Sequence, residues 1–191
     1  GHSYTIDGAA VPNVTRIIAP LIDFNGIPRD RLERKRQLGA SLHKAIEYDV
    51  RAGVDLSTVP EPVIPYFLAW QVFIKHTEFQ ALLCEHPVAS KIFGFAGTLD
   101  LVGKFKSNEL AMLDPKTTFL MHPAVGVQLA GYAIAGNEMG LFPKNIKRYG
   151  LQLKADGSYN LVPYRDVLDF NMFMSLLNVE KFKEKHQCQI L

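Results

Sequence analysis

The chain has 191 residues, 48% apolar and 21% charged, the composition of a globular domain long enough for a full core. Its 21 basic and 19 acidic residues leave a formal charge of +2, so no charge surplus by itself marks a nucleic-acid binder. Two cysteines, Cys84 and Cys188, exclude a disulfide scaffold and a four-ligand zinc or iron–sulfur site, and point to a reducing compartment. No apolar stretch approaches a membrane span, no secretory signal pattern is present, and Gly1-His2-Ser3 reads as a cloning remnant.

From the N-terminus, residues 4–27 carry Pro12, Pro20 and Gly26 and read as an irregular arm with a short helix around Thr15–Leu21. Pro28 opens the next helix, as a first-turn proline can. Leu32, Leu38, Leu42, Ala45, Ile46 and Val50 recur at helical spacing and predict a helix over 29–52 ending at Gly53. Pro60, Pro62 and Pro65 mark a linker before a second helix over 63–76, with Phe67, Trp70, Phe73 and Ile74 as its apolar stripe. Residues 78–86, 92–105 and 109–116 predict three strands, the last two joined by a Lys106-Ser107-Asn108 turn. Pro123 begins a helix over 123–138 that ends near Gly140. Strands over 147–154 and 158–163 flank a tight Asp156-Gly157 turn, and a last helix covers 166–186.

This order predicts an α/β fold with a small central mixed sheet of about five strands flanked by helices. One domain is expected over 4–191: an N-terminal arm and helices (4–76), a sheet core with an inserted helix (78–164) and a closing helix (166–186).

Chemistry concentrates at the ends of two apolar runs. One is Phe95-Ala96-Gly97-Thr98-Leu99-Asp100-Leu101-Val102-Gly103, and the other is Leu110-Ala111-Met112-Leu113-Asp114-Pro115-Lys116. Two carboxylates ~4 Å apart repel by about 4 kcal/mol at an effective dielectric of about 20 unless a cation joins them. A divalent metal reverses that sign, and Lys116 shares the face of Asp114 in extended chain. Asp100, between Leu99 and Leu101, is expected to point away from both. Pro115 has no N–H to give to a sheet, so its carbonyl can turn toward a cation. The set fits metal-dependent phosphodiester cleavage. The plain alternative is a strand-end acid beside a solvated lysine.

Gly39, His43 and Glu47 form one helical stripe. Gly39 is expected to let the helix pack closely one turn before His43, which is either a metal ligand or a satisfied polar residue. Gln128 and Tyr132, four apart on the 123–138 helix, can donate to phosphate oxygens or serve the core. Glu85 is a further acid, either at the site or on the surface. His76, His86, His122 and His186 have no spacing partner and are expected to be structural. The basic clusters Arg29, Arg31, Arg34, Lys35, Arg36 and Lys144, Lys147, Arg148 read as solvated helix faces or as a phosphate-tracking rim.

In this order, Gly39…His43, Glu85, Gly97-Thr98-Leu99-Asp100, Asp114-Pro115-Lys116 and Gln128…Tyr132 resemble the RecB-like branch of the PD-(D/E)XK nuclease superfamily. The resemblance runs from about Val11 to Lys185. Pro12-Asn13-Val14-Thr15 and the compact size look most like its phage-type and mitochondrial genome maintenance exonucleases. It implies a restriction-endonuclease-like core in which Asp100, Asp114, His43 and the Pro115 carbonyl ligate Mg²⁺ or Mn²⁺, with Glu85 as an accessory acid, either bound to the metal through water or hydrogen-bonded near the site. Lys116 would position the attacking water, while Gln128 and Tyr132 would orient the DNA backbone or the lysine. The chain departs from the superfamily by carrying Leu113, not proline, before Asp114, with the proline inside D-x-K. It also lacks the four cysteines of cluster-bearing relatives, so no iron–sulfur cluster is carried over.

The function so implied is a metal-dependent exonuclease on single-stranded DNA or free ends, in the cytoplasm of a bacterial or phage-infected cell. A single-strand-annealing or helicase protein would be its partner. The alternatives are a structure-specific endonuclease and a non-catalytic recombination accessory protein of the same fold. Threading a strand under an arch made from the 4–76 region would offer Phe24, Tyr66, Phe67 or Trp70 for stacking.

Overall fold

In the computed structural model, which describes residues 3–186, the elements run β1 (Tyr4–Ile6), β2 (Ala9–Val11), α1 (Val14–Ile18), α2 (Arg29–Ala52), α3 (Ile64–Thr77), β3 (Gln80–Ser90), β4 (Phe95–Lys104), β5 (Leu110–Lys116), α4 (Ala124–Glu138), β6 (Lys147–Leu153), β7 (Tyr159–Pro163) and α5 (Leu168–His186). Gly1, His2 and Cys188 lie outside the described residues. The expected α/β architecture is present: β3 to β7 form one five-stranded sheet in chain order, with helices on both faces. All its neighbours are antiparallel except β5 and β6, which α4 joins as a crossover.

The arm is more ordered than its prolines suggest. β1 and β2 make a hairpin across Asp7 (φ 49°) and Gly8 (φ 84°), an aspartate–glycine pair suited to a two-residue turn. The short helix starts at Val14, capped by the Asn13 side chain accepting from the Arg16 amide at 2.8 Å, and passes into a 3₁₀ turn over Ala19–Leu21. α2 and α3 begin at proline signals, and α2 stops at Gly53 (φ 80°). β3 continues to Ser90, beyond the expected 86, because β4 pairs with it as far as Ser90↔Phe95.

Each face of the sheet holds its own core. α1, α4 and α5 cover Val14, Leu99, Val102, Met112, Leu129 and Phe173. α2 and α3 cover Leu42, Phe67, Trp70, Leu101, Leu113 and Leu151. Burial on both faces explains why β4 and β5 read as continuous apolar runs instead of alternating ones. Phe67 and Trp70 are fully buried, and the Trp70 indole N–H donates to Asp49 at 2.7 Å, so neither offers a stacking surface. Arg148 is no phosphate rim either: it is 5% exposed and donates to the carbonyls of Gly126 (2.9 Å) and Asp166 (3.0 Å) beside Asp169. Among the described residues no helix is long and apolar enough to cross a membrane.

α4 is buried nearly all round, and its glycines set how close it lies to its neighbours. A Cβ on Gly131 would stand 2.4 Å from the Phe173 ring of α5. Gly131→Ala is therefore expected to lower stability by about 1–3 kcal/mol through overpacking, read as a lower urea midpoint with an unchanged m-value. An unchanged midpoint would mean that Phe173 swings aside at no cost.

Candidate metal centre

The site forms where two central strands part. β4 and β5 pair from Lys104↔Leu110 to Leu101↔Leu113, and the pairing stops one residue short of Asp100 and Asp114. Beyond that point β5 continues against β6, with Asp114 opposite Gly150. The two acids thus flank the opening of a gap in the sheet.

Side-chain alternation also reverses there. Leu99 packs with the α4 and α5 core and Leu101 with the α2 and α3 core, although residues two apart on a regular strand share a face. The expectation that both leucines point the same way, with Asp100 opposite them, is therefore corrected. β3 reverses in step: Val88 joins the first core and Cys84 packs on the second. Between them Glu85, flanked by the pairs Cys84↔Leu101 and His86↔Leu99, has φ 45°, a costly left-handed conformation for a non-glycine residue. The strain is spent where Glu85 and Asp100 are aimed at one point.

His43 reaches that point from α2. Its Nδ1 lies 3.3 Å from Glu85 Oε1 and 3.4 Å from Asp100 Oδ1, and its Nε2 lies 3.0 Å from the Pro115 carbonyl oxygen. A carbonyl only accepts, so as a hydrogen bond this last contact needs the proton on Nε2. Nδ1 then faces two carboxylates, an arrangement that calls for a proton or a cation. His43 and the Pro115 carbonyl would be neighbouring donors to a cation held there. Ligand atoms of His43, Glu85 and Asp100 all lie within 4.8 Å of one another. Glu85 thus stands within hydrogen-bond reach of His43, as close to the common point as Asp100. Asp114, 1% exposed, is turned to Lys116, whose Nζ is 2.8 Å from each of its carboxylate oxygens.

Electrostatics describe a crowded cage. Burial opposes charge on His43, but the Asp100 carboxylate and the hydrogen bonds to Asp100 and Glu85 outweigh it and lift its pKa to about 10. Burial, then the neighbouring Asp100, push the Asp114 carboxyl up against the pull of Lys116. Asp100 moves the other way: burial is overcome by His43 and then Lys116, which hold it below the usual carboxylate range. Lys116 is raised despite burial, because Asp114 and Asp100 favour its ammonium form. Asp100 Oδ2 is buried with no hydrogen bond among the described residues, and Asp114 Oδ2 meets only the Lys116 ammonium, at 2.8 Å. Carboxylate oxygens, an imidazole and a backbone carbonyl gathered in this way could hold a metal ion.

A pH dependence follows for the metal-free protein. A folded histidine pKa near 10 against 6.5 unfolded gives stability that is complete below 6.5 and lost as pH rises toward 10. The raised Asp114 works in the same sense, since its ionisation costs more in the folded chain. The thermal midpoint in EDTA is expected to fall between pH 6.5 and 9. The midpoint gain on adding Mn²⁺ should grow over that interval, because ligands must shed protons to bind a metal. Parallel midpoint curves with and without Mn²⁺ would contradict the cage.

Two openings lead to His43. One, of about 200 Å³, is lined by Lys35, Arg36, Gly39, Pro115 and Lys116. The other, of about 620 Å³, is lined by Gly39, Lys44, Glu47, Glu85 and Thr98. Gly39 borders both, and a Cβ on it would meet nothing within 4 Å. The expectation of close helix packing at Gly39 is thus corrected: the missing side chain leaves open space at the mouth of the site.

Tyr132 lies behind the cage, 4% exposed, with its hydroxyl accepting from Gln128 Nε2 at 3.3 Å. Burial and then the Asp100 charge raise its pKa. Gly97 is what admits it, since a Cβ there would fall 2.8 Å from the Tyr132 ring. Thr98, part of the Gly97-Thr98-Leu99-Asp100 run but given no role from sequence, lines the larger opening and exchanges a 2.8 Å hydrogen bond with the Tyr4 hydroxyl of the N-terminal hairpin. The Asp7-Gly8 pair was the available signal for that hairpin. No protein-family model matches the chain, and no curated protein matches it.

Proposed function

We propose that the chain is a metal-dependent deoxyribonuclease that hydrolyses phosphodiester bonds, acting on single-stranded DNA from a free end. The observation that carries the reading is the gathering of His43, Glu85, Asp100, Asp114, the Pro115 carbonyl and Lys116 from α2, β3, β4 and β5 around one gap in the sheet. Asp100, Asp114, His43 and the Pro115 carbonyl would hold the cation, with Glu85 directly beside them. When bound, a hard divalent cation polarises the phosphoryl group and makes water a better nucleophile.

The side chains supply the rest. Lys116, kept as an ammonium by Asp114 and Asp100, donates hydrogen bonds to the attacking water and to the phosphate oxygens as charge builds on them. Asp114 holds that ammonium in place at 2.8 Å. Gln128 and Tyr132 brace the wall behind Asp100. Lys35 and Arg36 at the smaller opening draw the phosphate chain inward.

The test is degradation of end-labelled single-stranded DNA with Mg²⁺ or Mn²⁺, compared with EDTA and with a circular single strand. Metal-dependent loss of the linear strand with the circle spared is expected. Cleaved circles would make the enzyme an endonuclease, and no cleavage of either would remove the nuclease reading.

A further inference from the structure

A cavity of about 560 Å³ lies beyond the smaller opening and shares Thr117 and Thr118 with it. Tyr66, Phe119, Gln152 and Lys154 complete its lining that concerns the argument. Phe119 is 91% exposed, an apolar ring held in water directly after the D-x-K strand. Its backbone is not loose: the buried Gln152 amide donates to the carbonyls of Thr118 at 2.9 Å and Phe119 at 2.6 Å. A buried amide from β6 is thus committed to fixing a loop that presents a ring to solvent, which adds nothing to the core. Asp156, the acid on the rim, is drawn back into its own turn by the Ser158 amide and hydroxyl at 2.9 and 2.6 Å. The two sides of the site differ in charge. Glu47 and Glu85 face the larger opening, where Lys44 is paired with Glu47 at 3.1 Å, whereas Lys35, Arg36, Lys116 and Lys154 line the path from the smaller opening to Phe119.

Resting on the nuclease reading, we infer that this cavity is a nucleobase-stacking subsite for the nucleotides next to the scissile phosphate. Phe119 is the stacking ring, Tyr66 completes the aromatic lining and Lys154 faces the backbone. Aromatic stacking tolerates any base, so the subsite grips single strands without reading sequence. A paired base cannot offer its face in this way, so the subsite favours unpaired DNA.

The experiment binds oligonucleotides carrying 2-aminopurine at successive positions from the end, in Ca²⁺, with intact strands verified on a gel. The wild type is expected to quench fluorescence at one or two adjacent positions. Phe119→Ala should abolish that quenching and weaken binding on the order of tenfold, while Phe119→Trp should retain both. A wild type that binds and cleaves DNA, with Phe119→Ala matching it in quenching and affinity, overturns the subsite and leaves the nuclease reading standing. A wild type that neither binds nor cleaves overturns both.

Discussion

Asp114→Asn is expected to lower the rate of DNA hydrolysis on the order of 10³-fold or more, because a metal ligand supports several kcal/mol of transition-state stabilisation and each 1.36 kcal/mol is about tenfold. The same change should hardly disturb the metal-free fold. Burial makes the Asp114 charge costly, and Asp100 adds to that cost, so a neutral amide of the same shape relieves it. Against this, Lys116 loses its nearest anionic neighbour but keeps Asp100 and, more weakly, Glu85, and remains 28% exposed. The two effects oppose, and the midpoint in EDTA should stay within a few degrees of wild type, about 1 kcal/mol at this chain length. What should vanish is the midpoint gain on adding Mn²⁺. Unfolding of Asp114→Asn without metal would assign the residue to the core, and a retained Mn²⁺ gain would remove it from the ligand set.

Much of this arrangement could be read from the residues, and the part that could not has a physical cause. Local signals marked α2 between Pro28 and Gly53, and the apolar runs marked β4 and β5, because each depends on neighbours in sequence. Lys116 fell beside Asp114 because strand periodicity alone places residues two apart together. The reversal at Glu85 and Asp100 was illegible, since no periodic pattern announces where one strand parts from the next. It brings Glu85 into the cage as a full neighbour of His43. Gly39 and Gly97 look alike in sequence, yet one opens onto space and the other admits the Tyr132 ring. Only the tertiary partner separates those two uses of a missing side chain. Arg148 misled for the same reason: next to Lys147 it resembles a basic patch, but the sheet turns it inward onto Gly126 and Asp166.

Lys116→Met is expected to give the mirror image of the asparagine variant. Removing the ammonium strips Asp114 of its partner and leaves it facing Asp100, whose Oδ2 is already without a hydrogen bond. Breaking a buried pair on one side typically costs about 3–5 kcal/mol. With Lys116 28% exposed, solvent screening reduces this to on the order of 2 kcal/mol, a midpoint drop in EDTA of about 4–8 °C. Mn²⁺ should restore most of that loss, since the cation replaces the missing charge between the acids. Affinity for Mn²⁺ should therefore hold or tighten, while turnover falls by about 10²–10³-fold, the usual cost of losing one preorganised donor to developing charge. The raised pKa of Lys116 makes it a donor and not a base at neutral pH, so Lys116→Arg, which keeps the charge, should recover part of the rate. Titration calorimetry with Mn²⁺ and single-turnover rates on labelled DNA separate the two effects. Wild-type turnover in Lys116→Met would end its role in the chemistry, and weaker Mn²⁺ binding would show that it organises the ligands instead.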